Sequence, residues 1–226
     1  MTAQQAEQFH TFTAKALFLC KRSRLDIQPT VAFLCTRVQR PTREDWNKLV
    51  RMMKFLNGTK NDVLTLSADN TSMIRWYADA SFAVHPDMKS HTGVIMTMGG
   101  GAIISSSRKQ KLNTRSSTEA ELIAADDALT DIMWTKEFLR AQNYGVKKTV
   151  LFQDNKSAML LETNGKESSG RRTRHINIRY FGIQDYVERK EFELEYCPTD
   201  DMLADYPSKP LQGEKFQKFR KVIMNL

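Results

Sequence analysis

Three aspartates stand where acid chemistry could gather. Asp79 closes the alternating run RWYADAS, Asp154 follows the apolar run VLFQ, and Asp205 lies in DMLADY near the C-terminus. Each alone reads as a turn or cap residue. Together, at the ends of two strands and on a following helix, they occupy the places where open α/β sheets collect functional groups. A cluster of like charges is destabilising unless cations neutralise it, and hard carboxylate oxygens suit Mg²⁺. The stretch SSTEAELIAADDAL, residues 116 to 129, adds Glu119 and Glu121. With Leu122, Ala125 and Leu129 as the buried stripe of a helix, the two glutamates flank that stripe on opposite sides at similar angles. Ser116 with Glu119 fits the capping box S-x-x-E, and Thr118 with Glu121 fits it as well. Helical geometry leaves both glutamates open.

The elements that must position these acids follow from periodicity. Apolar spacing is helical through the first 66 residues, in TFTAKALFLCKRSR, in IQPTVAFLCTRVQR with Pro29 in its first turn, and in PTREDWNKLVRMMKFLNG. In the last of these Thr42 can cap, Glu44 and Asp45 favour the positive end of the helix, and Gly58 can close it. Trp46, Leu49, Met53 and Leu56 then share a face. From Thr71 the period falls to 2. MIRWYAD, HTGVIMTM and GAIISSSR read as strands, with a hairpin turn at Gly99–Gly101. A helix from about Ser116 to Gln142 follows, then the buried strand TVLFQ, a helix through Ala158, and the basic loop GKESSGRRTRH. A helix to about Arg189, the strand FELEYC and short helices complete the order. It implies an α/β mixed sheet layered with helices, preceded by a small helical segment, with residues 1–70 as one unit and 71–226 as the other.

Composition narrows the partner. The 226 residues are 41% hydrophobic, enough for a sizeable core, and carry a net charge of +8. The excess is uneven, with 11 basic against 6 acidic residues in 1–70 and 5 against 1 in 206–226. A polyanion such as nucleic acid suits that balance. Cys20, Cys35 and Cys197 are odd in number and lack metal-ligand spacing, so they read as buried free thiols in a reducing compartment. No apolar run approaches a bilayer span and no signal-peptide pattern opens the chain, so the expectation is an intracellular protein without a membrane partner.

YADAS, KQKLNTRSS, SSTEAELIAADDAL, LFQDNKSA, RRTRHINIRYF and ADYPSKPLQG, in this order, resemble the ribonuclease H domain of copia-type LTR retrotransposon polyproteins. The segment LDIQPTVAFLCTRVQRPTREDWNKLVRMMKFLNGT looks like the end of the adjoining reverse transcriptase, and the polymerase signature Tyr-x-Asp-Asp is absent from the chain. The resemblance implies a ribonuclease H-like fold and a metal-dependent endoribonuclease that cleaves the RNA strand of RNA–DNA hybrids during reverse transcription. It also decides between the glutamates, because the family's catalytic glutamate precedes a Leu-apolar-Ala-Ala run, which ELIAA matches at Glu121. Asp79, Glu121, Asp154 and Asp205 are thus the expected catalytic and metal-binding set, with two Mg²⁺ ions that Mn²⁺ can replace. Copia elements usually follow ADxx with Thr-Lys, whereas this chain continues Tyr206-Pro207-Ser208-Lys209.

Expected hybrid contacts are Ser116, Ser117, Asn155, Arg171, Arg172, Arg174 and His175, with Ser105 to Ser107, Gln110, Arg108, Lys109 and Lys111 as further polar or basic groups near strand ends. Some ribonucleases H carry a histidine in the loop before the last aspartate, and the loop PTDDML has none. The resemblance further implies the reverse transcriptase domains of the same polyprotein as partners, and a cytoplasmic retroelement particle, or the nucleus, as location. Two other readings stand beside it: a hybrid-binding or tethering module without activity, and a DNA nuclease or integrase-like enzyme on the same fold.

Overall fold

The computed structural model describes residues 1–69, 72–164 and 177–226, with side chains described for all of these except 177–181. The element order is α1 (Ala3–Arg22), a 3-10 turn (Leu25–Ile27), α2 (Gln28–Cys35), α3 (Arg43–Gly58), β1 (Ser67–Ala68), β2 (Met73–Ser81), β3 (His91–Thr97), β4 (Gly99–Gly100) and β5 (Ile104–Lys109). Then come α4 (Ser117–Ala141), β6 (Lys148–Gln153), α5 (Lys156–Asn164), α6 (Asn177–Glu188), β7 (Glu193–Tyr196), α7 (Asp205–Ser208) and α8 (Gly213–Met224).

Five strands form the main sheet in the order β5-β3-β2-β6-β7. β2 pairs antiparallel with β3, and β3 with β5, while β2–β6 and β6–β7 are parallel. The central strand β2 therefore has one neighbour of each kind. Its even-numbered residues Ile74, Trp76, Ala78 and Ala80 pack with Ala120, Leu122, Ala124, Ala128 and Ile132 of α4. Its odd face, through Tyr77, meets Cys197, Met202 and Ala204 and the cluster built from Leu203, Tyr206 and Phe219. The period of 2 in β2 thus sends alternate residues to two different helical layers.

Several details depart from the periodicity reading. The glycine run is more than a turn, because Gly99 and Gly100 pair with Ala68 and Ser67 as a two-stranded ribbon. Gly101, with φ of +79°, makes the turn out of it. Helix α5 continues past Ala158 to Asn164, and α1 begins at Ala3, where Thr2 and Gln5 form a capping box. In α3 it is Met52 that faces the core beside Leu49, while Met53 is exposed. The packing of α1 and α2 sets that face, and a 3.6-residue period lets either methionine continue the stripe. The capping of α3 by Thr42, in a box with Asp45, agrees with the sequence.

Helices α1 to α3 share a core of Phe9, Ala16, Cys20, Val31, Leu34 and Leu49, and they also press on the sheet layer. Gln28 donates to the Ser105 carbonyl at 2.8 Å and accepts from its hydroxyl, so Ser105 faces α2. The deepest joint is ionic. Asp26, with a fully buried side chain, receives Arg24 through both carboxylate oxygens at 2.9 Å and Arg220 of α8 at 2.9 Å. Arg220 also reaches Asp62 at 2.5 Å. The Asp26 carbonyl accepts the Tyr206 hydroxyl at 2.8 Å, one residue from Asp205. Removing the charge of Asp26 would leave two nearly buried guanidinium groups without their shared partner. Asp26→Asn is expected to cost about 3–5 kcal/mol, read from urea unfolding midpoints at constant slope.

Candidate active site

The parallel pairing of β2 and β6 builds the site. Tyr77 is in register with Phe152, so Asp79 and Asp154, each two residues further on, emerge side by side on the same face. Their neighbours Tyr77 and Phe152 stack at 4.9 Å and form a rigid aromatic floor below them. Glu121 arrives from the first turns of α4, where its Oε2 accepts the Ala80 backbone N–H at 3.0 Å. One oxygen from each of Asp79, Glu121 and Asp154 falls within 4.8 Å of the others. Asp79 and Glu121 are buried, and Asp154 is half-buried and faces outward.

Glu119 does something else. Its backbone N–H donates to Ser116 Oγ at 3.2 Å, and its carboxylate accepts the Arg115 N–H at 2.6 Å. It holds the chain entering α4, one residue before the position that a capping-box carboxylate would take. The stripe argument could not separate the two glutamates for a physical reason. Residues 119 to 125 of α4 are buried all round, so that end of the helix has no single apolar face.

Asp205 begins α7, the short helix that lies across β3 at Gly93. A Cβ on Gly93 would stand 2.5 Å from the Ala204 carbonyl oxygen and 2.7 Å from the Ser208 nitrogen, and neither backbone atom can rotate away. Gly93 is the register partner of Asp79, so its missing side chain lets α7 bring Asp205 toward Asp79. One ammonium group bridges the two acids and a second holds Asp205 alone. Lys209 Nζ contacts Asp79 Oδ1 at 3.1 Å and Asp205 Oδ1 at 2.5 Å, and Lys215 Nζ contacts Asp205 Oδ2 at 2.7 Å. Ser208 Oγ donates to Asp79 Oδ2. Thr199 Oγ1 donates to Asp154 Oδ2 at 2.9 Å, from the loop that lacks a histidine.

Burial sets the electrostatics. It pushes the Asp79 carboxyl up to about 6, against the lowering effect of Lys209, with the Asp205 charge adding to the rise. Burial likewise raises Glu121 well above the usual range, reinforced by the charges of Asp79 and Asp154. Lys209 moves the other way from what burial alone would do, because Asp79 and Asp205 hold its proton more tightly. Three carboxylate oxygens this close, two of them buried, form a hard-oxygen pocket of negative charge that fits a divalent cation.

The remaining expected contacts are distributed more widely. Ser116 Oγ caps α4, Asn155 Oδ1 accepts the Ser157 and Ala158 N–H groups at the start of α5, and Ser117 is exposed beside them. Gln110 is buried and donates to Thr92 and to the Ala120 carbonyl. Ser107 Oγ bonds the Pro207 carbonyl, Arg108 pairs with Asp131, and Lys109 pairs with Asp87. Ser106 is half-buried and Lys111 is exposed. Arg171, Arg172, Arg174 and His175 lie outside the described residues. Sequence reasoning missed Gly93, Thr199, Ser208, Lys209 and Lys215 as parts of the site. A glycine inside the alternating run HTGVIM is a signal of close backbone approach, and Lys209 stands four residues after Asp205. Nothing local marks Thr199 or Lys215.

A sheet of this order, with helices on both faces and acids at the ends of its parallel pair, is a ribonuclease H-like fold. Among solved structures, the chain is similar to the foamy viral protease-reverse transcriptase in complex with RNA/DNA hybrid, with a TM-score of 0.50 and 14% identity over 94% of this chain and 29% of that one. LC11-RNase H1, isolated from compost, matches 60% of this chain and 92% of its own at a TM-score of 0.46 and 18% identity. The chain is a homologue of one segment of copia-type retrotransposon Pol polyproteins. It is 31% identical over 202 residues to the retrovirus-related Pol polyprotein from transposon TNT 1-94 of Nicotiana tabacum, which spans 89% of this chain and 15% of that polyprotein. No protein-family model matches the chain.

Because Asp79 and Glu121 bind their protons more tightly folded than unfolded, their contribution to stability falls as pH rises from about 4 through about 6 and above. Removing one neighbouring charge relieves that penalty. Asp154→Asn is expected to leave the metal-free protein at pH 8 with an unchanged melting temperature or one up to about 4 °C higher, by scanning calorimetry in chelator. A marked drop would make Asp154 a structural residue.

Proposed function

We propose that this chain is a divalent-metal ribonuclease H that cleaves the RNA strand of RNA–DNA hybrids in retrotransposon reverse transcription. The observation that carries the reading is the convergence of Asp79, Glu121 and Asp154 within 4.8 Å at the end of the parallel strand pair. Homology to a segment of retrotransposon Pol polyproteins supports the substrate and supports reverse transcriptase domains of the same polyprotein as partners. A cytoplasmic particle or the nucleus is the corresponding location. Among the described residues no helix is long and apolar enough to cross a membrane.

In this reading Asp79, Glu121 and Asp154 would hold Mg²⁺, or Mn²⁺ in its place, and Asp79 with Asp205 would hold a second ion. The metal, when bound, supplies an activated water and charge stabilisation at the scissile phosphate, giving 5′-phosphate and 3′-hydroxyl ends. The chain's own part is orientation. The Ala80 N–H fixes Glu121, Ser208 and Lys209 fix Asp79, and Thr199 fixes Asp154, so each carboxylate presents a set oxygen to the centre. Ser116, Ser117 and Asn155, at the adjoining helix starts, are proposed contacts for the RNA 2′-hydroxyls, and Arg171, Arg172, Arg174 and His175 for the phosphate backbone.

A second reading rests on one observation, the engagement of both Asp205 oxygens by lysines, which suits a hybrid-binding module that does not cleave. Labelled RNA–DNA hybrid, duplex DNA and single-stranded RNA, each with Mg²⁺ and with EDTA, separate these alternatives. RNA fragments from the hybrid alone, only with Mg²⁺, are expected. Hybrid binding without cleavage would leave the non-catalytic reading, and cleavage of duplex DNA would point to a DNA nuclease. In single-turnover assays Glu119→Gln should retain nearly full cleavage, since an amide can still serve the cap. Glu121→Gln should lose several orders of magnitude. The opposite pattern would move the centre to the other side of α4.

A further inference from the structure

Lys209 stands at the place where the metal reading needs a second cation. Its stem leaves the C-terminal end of α7, four residues after Asp205, and its ammonium spans two carboxylates from different elements. The side chain is two-thirds buried, so the contact is not a solvent-screened surface pair. Asp205 has its other oxygen on Lys215, whose ammonium also holds the Thr199 carbonyl at 3.1 Å. Asp205 is absent from the group of acids whose oxygens converge, whereas Asp79 belongs to that group while its Oδ1 contacts Lys209 and its Oδ2 accepts from Ser208. Lys209 thus places an ammonium on the Asp79–Asp205 edge of the acidic centre, whereas Glu121 and Asp154 are held by neutral donors, the Ala80 N–H and the Thr199 hydroxyl.

We propose that Lys209 is a resident cation of the centre, so that the free protein binds one divalent ion at the Asp79–Glu121–Asp154 triad and admits a second at the Asp79–Asp205 edge only by displacing the Lys209 ammonium. This rests on the metal-dependent reading above. The physical argument is competition for the same oxygens. A compact, strongly hydrated ammonium on a flexible stem can leave such an edge, whereas a backbone donor could not. An ion entering beside it meets a like charge within a few ångströms and two carboxylates whose negative charge is already offset. The charge of the buried Asp205 is offset by two lysines.

Mn²⁺ titration of the hybrid-free protein, counted by electron paramagnetic resonance of the unbound ion, tests this without reference to catalysis. The wild type should bind one Mn²⁺ tightly and a second at least tenfold more weakly. Lys209→Met should strengthen the second site by tenfold or more, and Lys209→Arg should leave it weak. Lys215→Met, which removes equal charge from Asp205 but touches no oxygen of Asp79, should change the second site much less. Two equal tight sites in the wild type would overturn the proposal even if Lys209→Met failed to fold. So would unchanged binding in a folded Lys209→Met, or equal strengthening by the Lys209 and Lys215 variants. A wild type that binds no Mn²⁺ would overturn the metal-dependent reading and this inference with it, whereas one tight site untouched by Lys209→Met would overturn the inference alone.

Discussion

Carboxylates repel one another most where water is scarce, and the structure around Asp79 is arranged to offset that repulsion. Asp79 is buried beside Glu121, Asp154 and Asp205, and its own pKa is pushed up to about 6 by burial. Each acid is held by a specific donor: a backbone N–H for Glu121, a hydroxyl and an ammonium for Asp79, a hydroxyl for Asp154, and two ammonium groups for Asp205. These donors come from β2, from the loop before α7, from the end of α7 and from α8. Four separate parts of the chain therefore have to be in place before the acids can be gathered. The balance left to a bound cation is the charge of the triad.

That requirement explains the depth of the joint between the N-terminal helices and the nuclease-like sheet. Tyr206, next to Asp205, donates to the Asp26 carbonyl, and the Asp26 carboxylate binds Arg24 and Arg220. The helix that carries Asp205 is only four residues long and cannot hold its orientation by its own hydrogen bonds. It is clamped instead between Gly93 below and the Asp26 network beside it. The N-terminal segment, through the 3-10 turn that carries Asp26, is consequently part of what positions Asp205.

The periodicity of the sequence was sufficient for most of the architecture. The change from a period of 3.6 to 2 near residue 71, the apolar run before Asp154 and the capped start of α4 all correspond to observed elements. Where the reading slipped, a tertiary neighbour had decided between locally equivalent choices. Met52 rather than Met53 turns inward because α1 and α2 lie on that side, and Gly99–Gly100 becomes a strand because Ser67–Ala68 is there to pair with it. Local pattern carries no information on either partner.

The site divides in the same way. Strand ends at Asp79 and Asp154 are legible because they depend on runs of adjacent residues, which also dictate that both acids leave their strands on the same side once the strands pair in parallel. The separation of Glu119 from Glu121 was not legible from helical geometry, since a helix end buried on all sides has no outward face to compare. Gly93, Thr199 and Lys215 acquire their parts only when α7, the loop before it and α8 fold onto the sheet. The sequence by itself determined the fold class, the order of its elements and which acids end strands, because those follow from short-range periodicity and turn chemistry. Only the tertiary structure decided that Lys209 lies between Asp79 and Asp205, because that contact joins atoms 130 residues apart and depends on how closely α7 can approach a strand at its one missing side chain.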